Sequence, residues 1–171
     1  MLPEVSALIK LFNLKPLAIE NTLFAQTYVS EIKIGDHPIS TAMIGLYCET
    51  PLSVSLFHRL TIDEVWHYYA GDPFRLILLY PDGSTRDVIM GNDLLHGHHV
   101  QFVVPANVWQ AARMIEGGRY SLYGCTLAPG FTEDIFQPGL YDQLVATYPD
   151  RADDLKILSS DGDLAKNAPT S

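Results

Sequence analysis

The sequence predicts an all-β domain, an antiparallel sandwich or barrel with a short helix near each end. Three observations indicate this fold. Short runs rich in β-branched and aromatic residues follow one another between residues 23 and 127, turn residues separate these runs, and helical periodicity is confined to the two ends of the chain. Because no helix is predicted between the runs, the strands are expected to pair antiparallel.

Each element has its own sequence signal. Residues 3–12 are predicted to form a helix, because the apolar residues fall on one stripe and Pro3 lies in the first turn, where a missing N–H costs least. Residues 140–148 have a second amphipathic pattern, which Pro149 ends. The runs between these helices predict nine strands: 23–34, 41–48, 53–60, 63–69, 74–80, 85–90, 100–105, 108–115 and 120–127.

Turn residues predict hairpins between several of these strands. Pro81-Asp82-Gly83 is the clearest, since Pro and Asp suit the central turn positions and Gly supplies a positive φ. We assign a similar role to Gly71-Asp72-Pro73 and Glu116-Gly117-Gly118.

Length indicates a single domain. A chain of 171 residues buries roughly two-thirds of its surface on folding and has no room for a second core. We assign residues 1–158 to this domain and residues 159–171, which are small and polar, to a tail that can fray.

Composition disfavours several classes of partner. With 11 Lys and Arg against 20 Asp and Glu, the net charge of −9 disfavours both nucleic acid and acidic membrane surfaces. The longest apolar runs, such as 76–80, are far shorter than a membrane helix, and no signal peptide is evident at the N-terminus. Cys48 and Cys125 lie in separate apolar runs and are interpreted as buried thiols, so we expect a cytoplasmic protein.

The residues with the most chemical potential are concentrated in 53–71. Alternation places Glu64, Trp66 and Tyr68 on one face of a strand, and a hairpin across 61–63 would bring His58 close to Glu64. If this face lines a barrel, Gln110 from a later strand is expected to join them. Apolar walls with a few polar groups are the usual form of a small-molecule site.

These residues also resemble a known family. His58-x-Leu60-x-x-x-Glu64, followed by Gly71, resembles the first motif of the cupins, and 105–110 (Pro-Ala-Asn-Val-Trp-Gln) resembles the second. The similarity is closer still to a small single-domain cupin family of uncharacterised function. It covers most of residues 20–150 and implies a double-stranded β-helix, or jelly roll, similar in fold to sugar-nucleotide epimerases and storage globulins.

Two departures from the cupin motifs concern the metal. Leu60 stands at the position of the second motif His and Gln110 at that of the last, so two of four imidazole ligands are missing. We therefore favour a hydrogen-bonded set of His58, Glu64 and Gln110 without a cofactor; a divalent metal, if bound, would take these three residues.

A third departure lies near the N-terminus. The family's charged Arg and Glu are replaced by Ala25 and Gln26, from which we hypothesise a less anionic ligand, provided these residues lie near a pocket.

Two classes of function remain open. The first is a protein that binds a small polar molecule, a sugar or nucleotide-sugar derivative, through His58, Glu64, Trp66, Tyr68, Gln110 and Tyr123. The second is an isomerase or epimerase in which His58 is the catalytic base. The resembled epimerases pair a His base with a Tyr acid, a role that Tyr68 or Tyr123 would take.

Other conspicuous residues receive structural interpretations. His96-Gly97-His98-His99 is interpreted as a solvated loop, and Trp66 and Trp109 as core side chains, although Trp66 can also face a ligand. His67 is expected to point outward. The resemblance implies a homodimer, and an outer face carrying Val65, His67 and Tyr69 supplies a surface for it.

Overall fold

The computed structural model describes residues 1–17 and 19–166 and confirms a predominantly β fold. Fourteen strands are found in this part of the chain, with bounds as follows: β1 Lys15–Leu17, β2 Thr22–Val29, β3 Lys33–Ile34, β4 His37–Pro38, β5 Thr41–Glu49, β6 Leu52–Ser53, β7 Ser55–Leu60, β8 Glu64–Gly71, β9 Phe74–Leu79, β10 Thr85–Met90, β11 Gln101–Val104, β12 Trp109–Met114, β13 Tyr120–Leu127 and β14 Phe136–Pro138. The four α-helices described are α1 Pro3–Phe12, α2 Tyr141–Val145, α3 Ala152–Leu158 and α4 Asp163–Lys166.

Twelve of these strands form two antiparallel sheets, and β3 and β4 pair as a separate two-stranded sheet. The larger sheet has the order β1-β2-β5-β13-β8-β11, with β6 beside β5, and the smaller sheet has the order β10-β9-β12-β7-β14. Consecutive strands alternate between the sheets at several points, which is the topology of a jelly roll. The predicted double-stranded β-helix with short terminal helices is confirmed.

The main core lies between the sheets. Its members are inward-facing side chains of both sheets, among them Tyr47, Trp66, Phe74 and Leu76, each of which is almost fully buried. The aromatic rings pack closely, with the Tyr47 and Tyr123 ring centroids 4.2 Å apart. This inner layer holds the two sheets face to face.

The helices cover part of the outer face of each sheet. Helix α1 places Val5 on Leu46 and Leu122 of the larger sheet. Helices α2 and α3 pack Leu144 and Leu155 on the smaller sheet, where Trp109 belongs to the same cluster. Trp109 is therefore a core residue, as predicted.

Of the three predicted hairpins, one is confirmed and two are wrong. Pro81-Asp82-Gly83 joins the paired strands β9 and β10, with Gly83 at φ 88°, so this prediction is confirmed. The segments 71–73 and 116–118 connect β8 to β9 and β12 to β13, strands that lie in different sheets, so their assignment to hairpins is wrong. A turn sequence predicts that the chain changes direction, but it does not predict which sheet the next strand joins.

The segment predicted to be a tail begins inside the fold. Ser159 is buried, the Ser160 N–H donates to the Gly139 carbonyl at 2.8 Å, and α4 follows. Residues 159–166 therefore pack on the domain, whereas 167–171 lie outside the described residues.

Candidate functional site

A pocket opens between the two sheets at the end of the barrel where β7 and β8 meet. Its volume is about 90 Å³. The side chains that line it are mostly apolar or aromatic: Leu17, Glu20, Phe24, Gln26, Thr41, Ala42, Met43, His58, Leu60, Glu64, Trp66, Tyr123, Cys125, Leu127 and Phe131. Of the predicted site residues, His58, Glu64, Trp66 and Tyr123 thus lie together.

His58 and Glu64 meet by a route that differs from the predicted hairpin. β7 pairs with β12 and β14 in the smaller sheet, and β8 pairs with β11 and β13 in the larger sheet. Residues 61–63 therefore cross between the sheets, and the hairpin prediction is wrong. His58 and Glu64 are contributed by opposite sheets, and both side chains line the pocket between them.

Gln110 lies beside the pocket and links two of its residues. It stands opposite His58 in the β12–β7 register. Its Nε2 donates to Glu64 Oε2 at 2.6 Å, and its Oε1 accepts from Trp66 Nε1 at 2.8 Å. Gln110 is 1% exposed, so this amide fixes Glu64 and Trp66 in a dry environment.

Burial sets the electrostatics of Glu64. The loss of hydration raises the pKa of this carboxyl, the charge of His58 opposes the rise, and Glu20 adds to it. The Cys125 thiol hydrogen-bonds with Glu64. The pKa of this thiol is raised, mainly by burial and to a smaller extent by the neighbouring charge of Glu64. A thiol with a raised pKa is a poor nucleophile, so Cys125 is a wall residue here.

The imidazole of His58 is held in one orientation. Its Nδ1 lies 2.8 Å from the Leu56 carbonyl oxygen, which can only accept, so Nδ1 carries the proton. The ring stacks on Phe136 with centroids 5.2 Å apart. In neutral His58 the other nitrogen, Nε2, is therefore an acceptor, and no hydrogen bond to it is found within the described part of the chain.

The two candidate tyrosines occupy different places. Tyr123 stacks on Trp66, and its hydroxyl lies 2.9 Å from Thr22 Oγ1. Burial raises the pKa of Tyr123. A side chain at Gly45, which is opposite in register, would collide with this ring. The Tyr68 hydroxyl instead donates to the Gly71 carbonyl, and Tyr68 does not line the pocket.

Sequence reasoning missed several wall residues. Phe24 and Cys125 follow from alternation, since Cys125 lies two residues after Tyr123 on the same strand face. Glu20 had no such signal because it precedes β2 in an irregular segment. Its position is fixed by its backbone carbonyl, which accepts from the Leu56 N–H at 3.0 Å.

The hypothesis that Ala25 and Gln26 lie near a pocket holds for Gln26 and not for Ala25. Gln26 lines the pocket and is exposed at its edge, whereas Ala25 faces outward and packs with the cluster under α1. The replacement at position 26 can therefore bear on a ligand, and the one at position 25 cannot.

The remaining histidines lie outside the pocket. His67 is on the outer sheet face, as expected, where its Nε2 lies 3.1 Å from Thr126 Oγ1. His96 is exposed and pairs with Asp93 at 2.7 Å, in agreement with a solvated loop, although His98 and His99 are half-buried.

Comparison with known proteins identifies the family. A family model described as the cupin superfamily (DUF985) matches residues 6–138. The chain belongs to this cupin family. A curated yeast relative, the uncharacterized protein YML079W of Saccharomyces cerevisiae, is 27% identical to this cupin over 119 residues, which are 66% of this chain. The match spans 59% of the length of the yeast protein.

Two solved structures resemble this cupin over most of their length. Protein SO0799 from Shewanella oneidensis is 31% identical, with a TM-score of 0.81 over 90% of this chain and 96% of that one. A hypothetical protein from Leishmania major is 25% identical, with a TM-score of 0.82 over 90% of this chain and 97% of that one. Among the residues that the structure describes, no helix is long and apolar enough to cross a membrane.

The residues of this cupin do not fit the metal that cupin motifs imply. Leu60 supplies no ligand, and the Gln110 amide oxygen accepts from Trp66. Within residues 1–17 and 19–166, no group of three or more His, Cys, Asp and Glu side chains is arranged to hold an ion. His58 and Glu64 alone fall short of the three or more protein ligands of an ordinary divalent site.

Proposed function

We propose that this cupin binds a small molecule in the pocket between its sheets and does so without a metal. One observation carries the proposal. His58 and Glu64, only 3% and 7% exposed, meet at a cavity with apolar and aromatic walls. Glu64 is bonded to Gln110, but His58 Nε2 has no hydrogen-bond partner among the described residues. Because a buried polar atom without a partner is costly, a ligand that donates to this nitrogen best explains the pair.

The size and lining of the pocket limit the ligand. A cavity of about 150 Å³ holds benzene, so a cavity of about 90 Å³ is sized to enclose a smaller chemical group. The described lining contains no Lys or Arg to pair with a diphosphate. Of the two ligands that the sequence suggests, a sugar derivative without phosphate is therefore preferred to a nucleotide sugar.

A thermal-shift screen of small metabolites, including neutral sugars, tests this proposal. A ligand must raise the melting temperature of the wild type and of His96→Ala, whose change is in an exposed loop, but raise that of His58→Ala much less. A ligand that stabilises all three proteins equally would place binding elsewhere and contradict the proposal.

An isomerase or epimerase is the second candidate. The observation in its favour is that Nδ1 is anchored to Leu56, which leaves Nε2 as an acceptor at the pocket, the requirement for a general base. A candidate acid is Tyr123, but its hydroxyl is already paired with Thr22 and its pKa is raised. Deuterium uptake from solvent into a bound ligand, lost in His58→Ala, would favour this function over binding alone.

We also propose that this cupin forms a homodimer through the outer face of the larger sheet. Tyr69 and Val103 are about half exposed there, beside Val65 and His67. These residues carry no fixed charge, whereas the chain as a whole has a net charge of −9, so this face allows two copies to meet with little repulsion. Light scattering should give a dimer for wild type and Leu95→Glu, and a monomer for Val103→Glu.

A further inference from the structure

Three polar side chains at the pocket present hydrogen-bond acceptors. Neutral His58 presents Nε2, because Nδ1 donates to Leu56. Glu64 presents its carboxyl, which accepts from Gln110 through Oε2 and hydrogen-bonds with the Cys125 thiol. Glu20 adds a second carboxyl, half-buried at the same cavity. A group that satisfies these atoms must bring several N–H or O–H donors of its own.

The charge of the pocket has the same sign throughout. Glu20 and Glu64 lie close enough for Glu20 to contribute to the raised pKa of Glu64. Among the lining residues described, no Lys or Arg offsets these two carboxyls, and His58 is the one side chain that can become cationic. An anionic ligand would be repelled here, and a cationic group would relieve the repulsion between the carboxyls.

The walls suit an organic cation. Phe24, Trp66, Tyr123 and Phe131 all line the same cavity. Aromatic faces attract ammonium groups through their quadrupole, and they do so more strongly where water is excluded. A bare metal ion is a poorer candidate, because no group of three or more ligating side chains is arranged to hold an ion within the described residues.

We propose that the group enclosed by the pocket is a small organic ammonium, held by the carboxyls of Glu20 and Glu64, by His58 Nε2 and by the aromatic walls. This inference rests on the proposed binding function and specifies the class of its ligand. The rest of the bound ligand would extend toward solvent through the opening of the pocket beside Gln26.

Three probes of matched size test the charge. Isobutylamine, isobutanol and isobutyrate share a branched alkyl group but are cationic, neutral and anionic at about pH 8. Binding to the full chain is measured from NMR amide shifts of residues that line the pocket. We expect the amine to bind about tenfold more tightly than the alcohol, and the acid to bind weakest.

Variants connect this preference to the two carboxyls. Glu20→Gln and Glu64→Gln should each remove most of the amine-over-alcohol preference, whereas Glu116→Gln, at the exposed turn between β12 and β13, should keep it. Melting curves establish that each variant is folded before binding is compared.

The outcomes separate this inference from the proposed function. If isobutanol or isobutyrate binds as tightly as the amine, or if both pocket variants retain the amine preference, the ammonium assignment is overturned while the binding pocket stands. If none of the three probes shifts the pocket resonances up to the limit of solubility, the ammonium assignment is overturned; if no compound of the thermal-shift screen shifts them either, the proposed function is overturned as well.

Discussion

Gln110 and Glu64 are joined by a 2.6 Å hydrogen bond in which the amide donates and the carboxyl accepts. The same amide accepts from the Trp66 indole at 2.8 Å, so one side chain from the smaller sheet orients two from the larger sheet. In the general cupin pattern this position holds a His ligand. Here it holds an amide, which makes the site a hydrogen-bonded structure rather than a ligand set.

Replacing Gln110 by Ala should destabilise the fold strongly. The variant leaves the Trp66 N–H and a Glu64 oxygen without their protein partner in a buried site, and each lost partner costs about 1–3 kcal/mol. We expect a loss of about 2–4 kcal/mol in the free energy of unfolding, measured by urea denaturation. Gln143→Ala, at an exposed site on α2, is the matched control and should change little. Equal losses in the two variants would contradict the role of Gln110.

The raised pKa of Glu64 predicts a pH-dependent gain in stability for Glu64→Gln. Folded wild type retains a proton that the unfolded chain releases near the ordinary pKa of Glu, so its unfolding free energy falls as pH rises from about 4. Gln does not titrate and can still accept from the Gln110 amide. The variant should therefore match wild type near pH 4 and exceed it at neutral pH.

Urea denaturation at several pH values measures whether the stability difference between Glu64→Gln and wild type has the expected sign. The groups around Glu64 are His58, Glu20, Cys125, Gln110 and Trp66, and His58 opposes the shift when it is charged. Glu116→Gln serves as the control for loss of a distant carboxylate. A variant that becomes less stable than wild type as pH rises would mean that ion pairing with His58 outweighs burial.

Alternation along strands was sufficient to predict which side chains face the interior, but it could not predict how strands pair. Glu64 and Trp66 are on the pocket face as expected, because a period of two is a local property of the chain. The supposed hairpin at 61–63 failed because the partners of β7 and β8 come from strands distant in sequence. Glu20 was missed for a related reason, since a backbone contact with Leu56 places it at the pocket.

The hydroxyl of Tyr123 is expected to contribute to stability and not to ligand binding. Tyr123→Phe retains the ring that stacks on Trp66 and loses the hydrogen bonds of the hydroxyl with Thr22 and Tyr47. The cost should be about 0.5–1.5 kcal/mol of unfolding free energy, with Tyr28→Phe, at a residue that is 52% exposed, as the neutral control. Unchanged affinity for the amine probe would support a wall role, whereas loss of a measured turnover would favour the isomerase alternative.

Restoring imidazoles at positions 60 and 110 should create a metal site. Leu60 lines the pocket next to His58 and Glu64, and Gln110 is opposite His58 in register, so the double variant Leu60→His, Gln110→His assembles three imidazoles and a carboxyl. Such a set meets the ligand number of Zn²⁺ and related ions. Adding Zn²⁺ or Mn²⁺ should raise the melting temperature of the double variant, raise that of each single variant less, and leave wild type unchanged. A comparable rise in wild type would contradict the metal-independent site, because it would mean that His58 and Glu64 hold an ion with the Gln110 amide still bonded to Trp66.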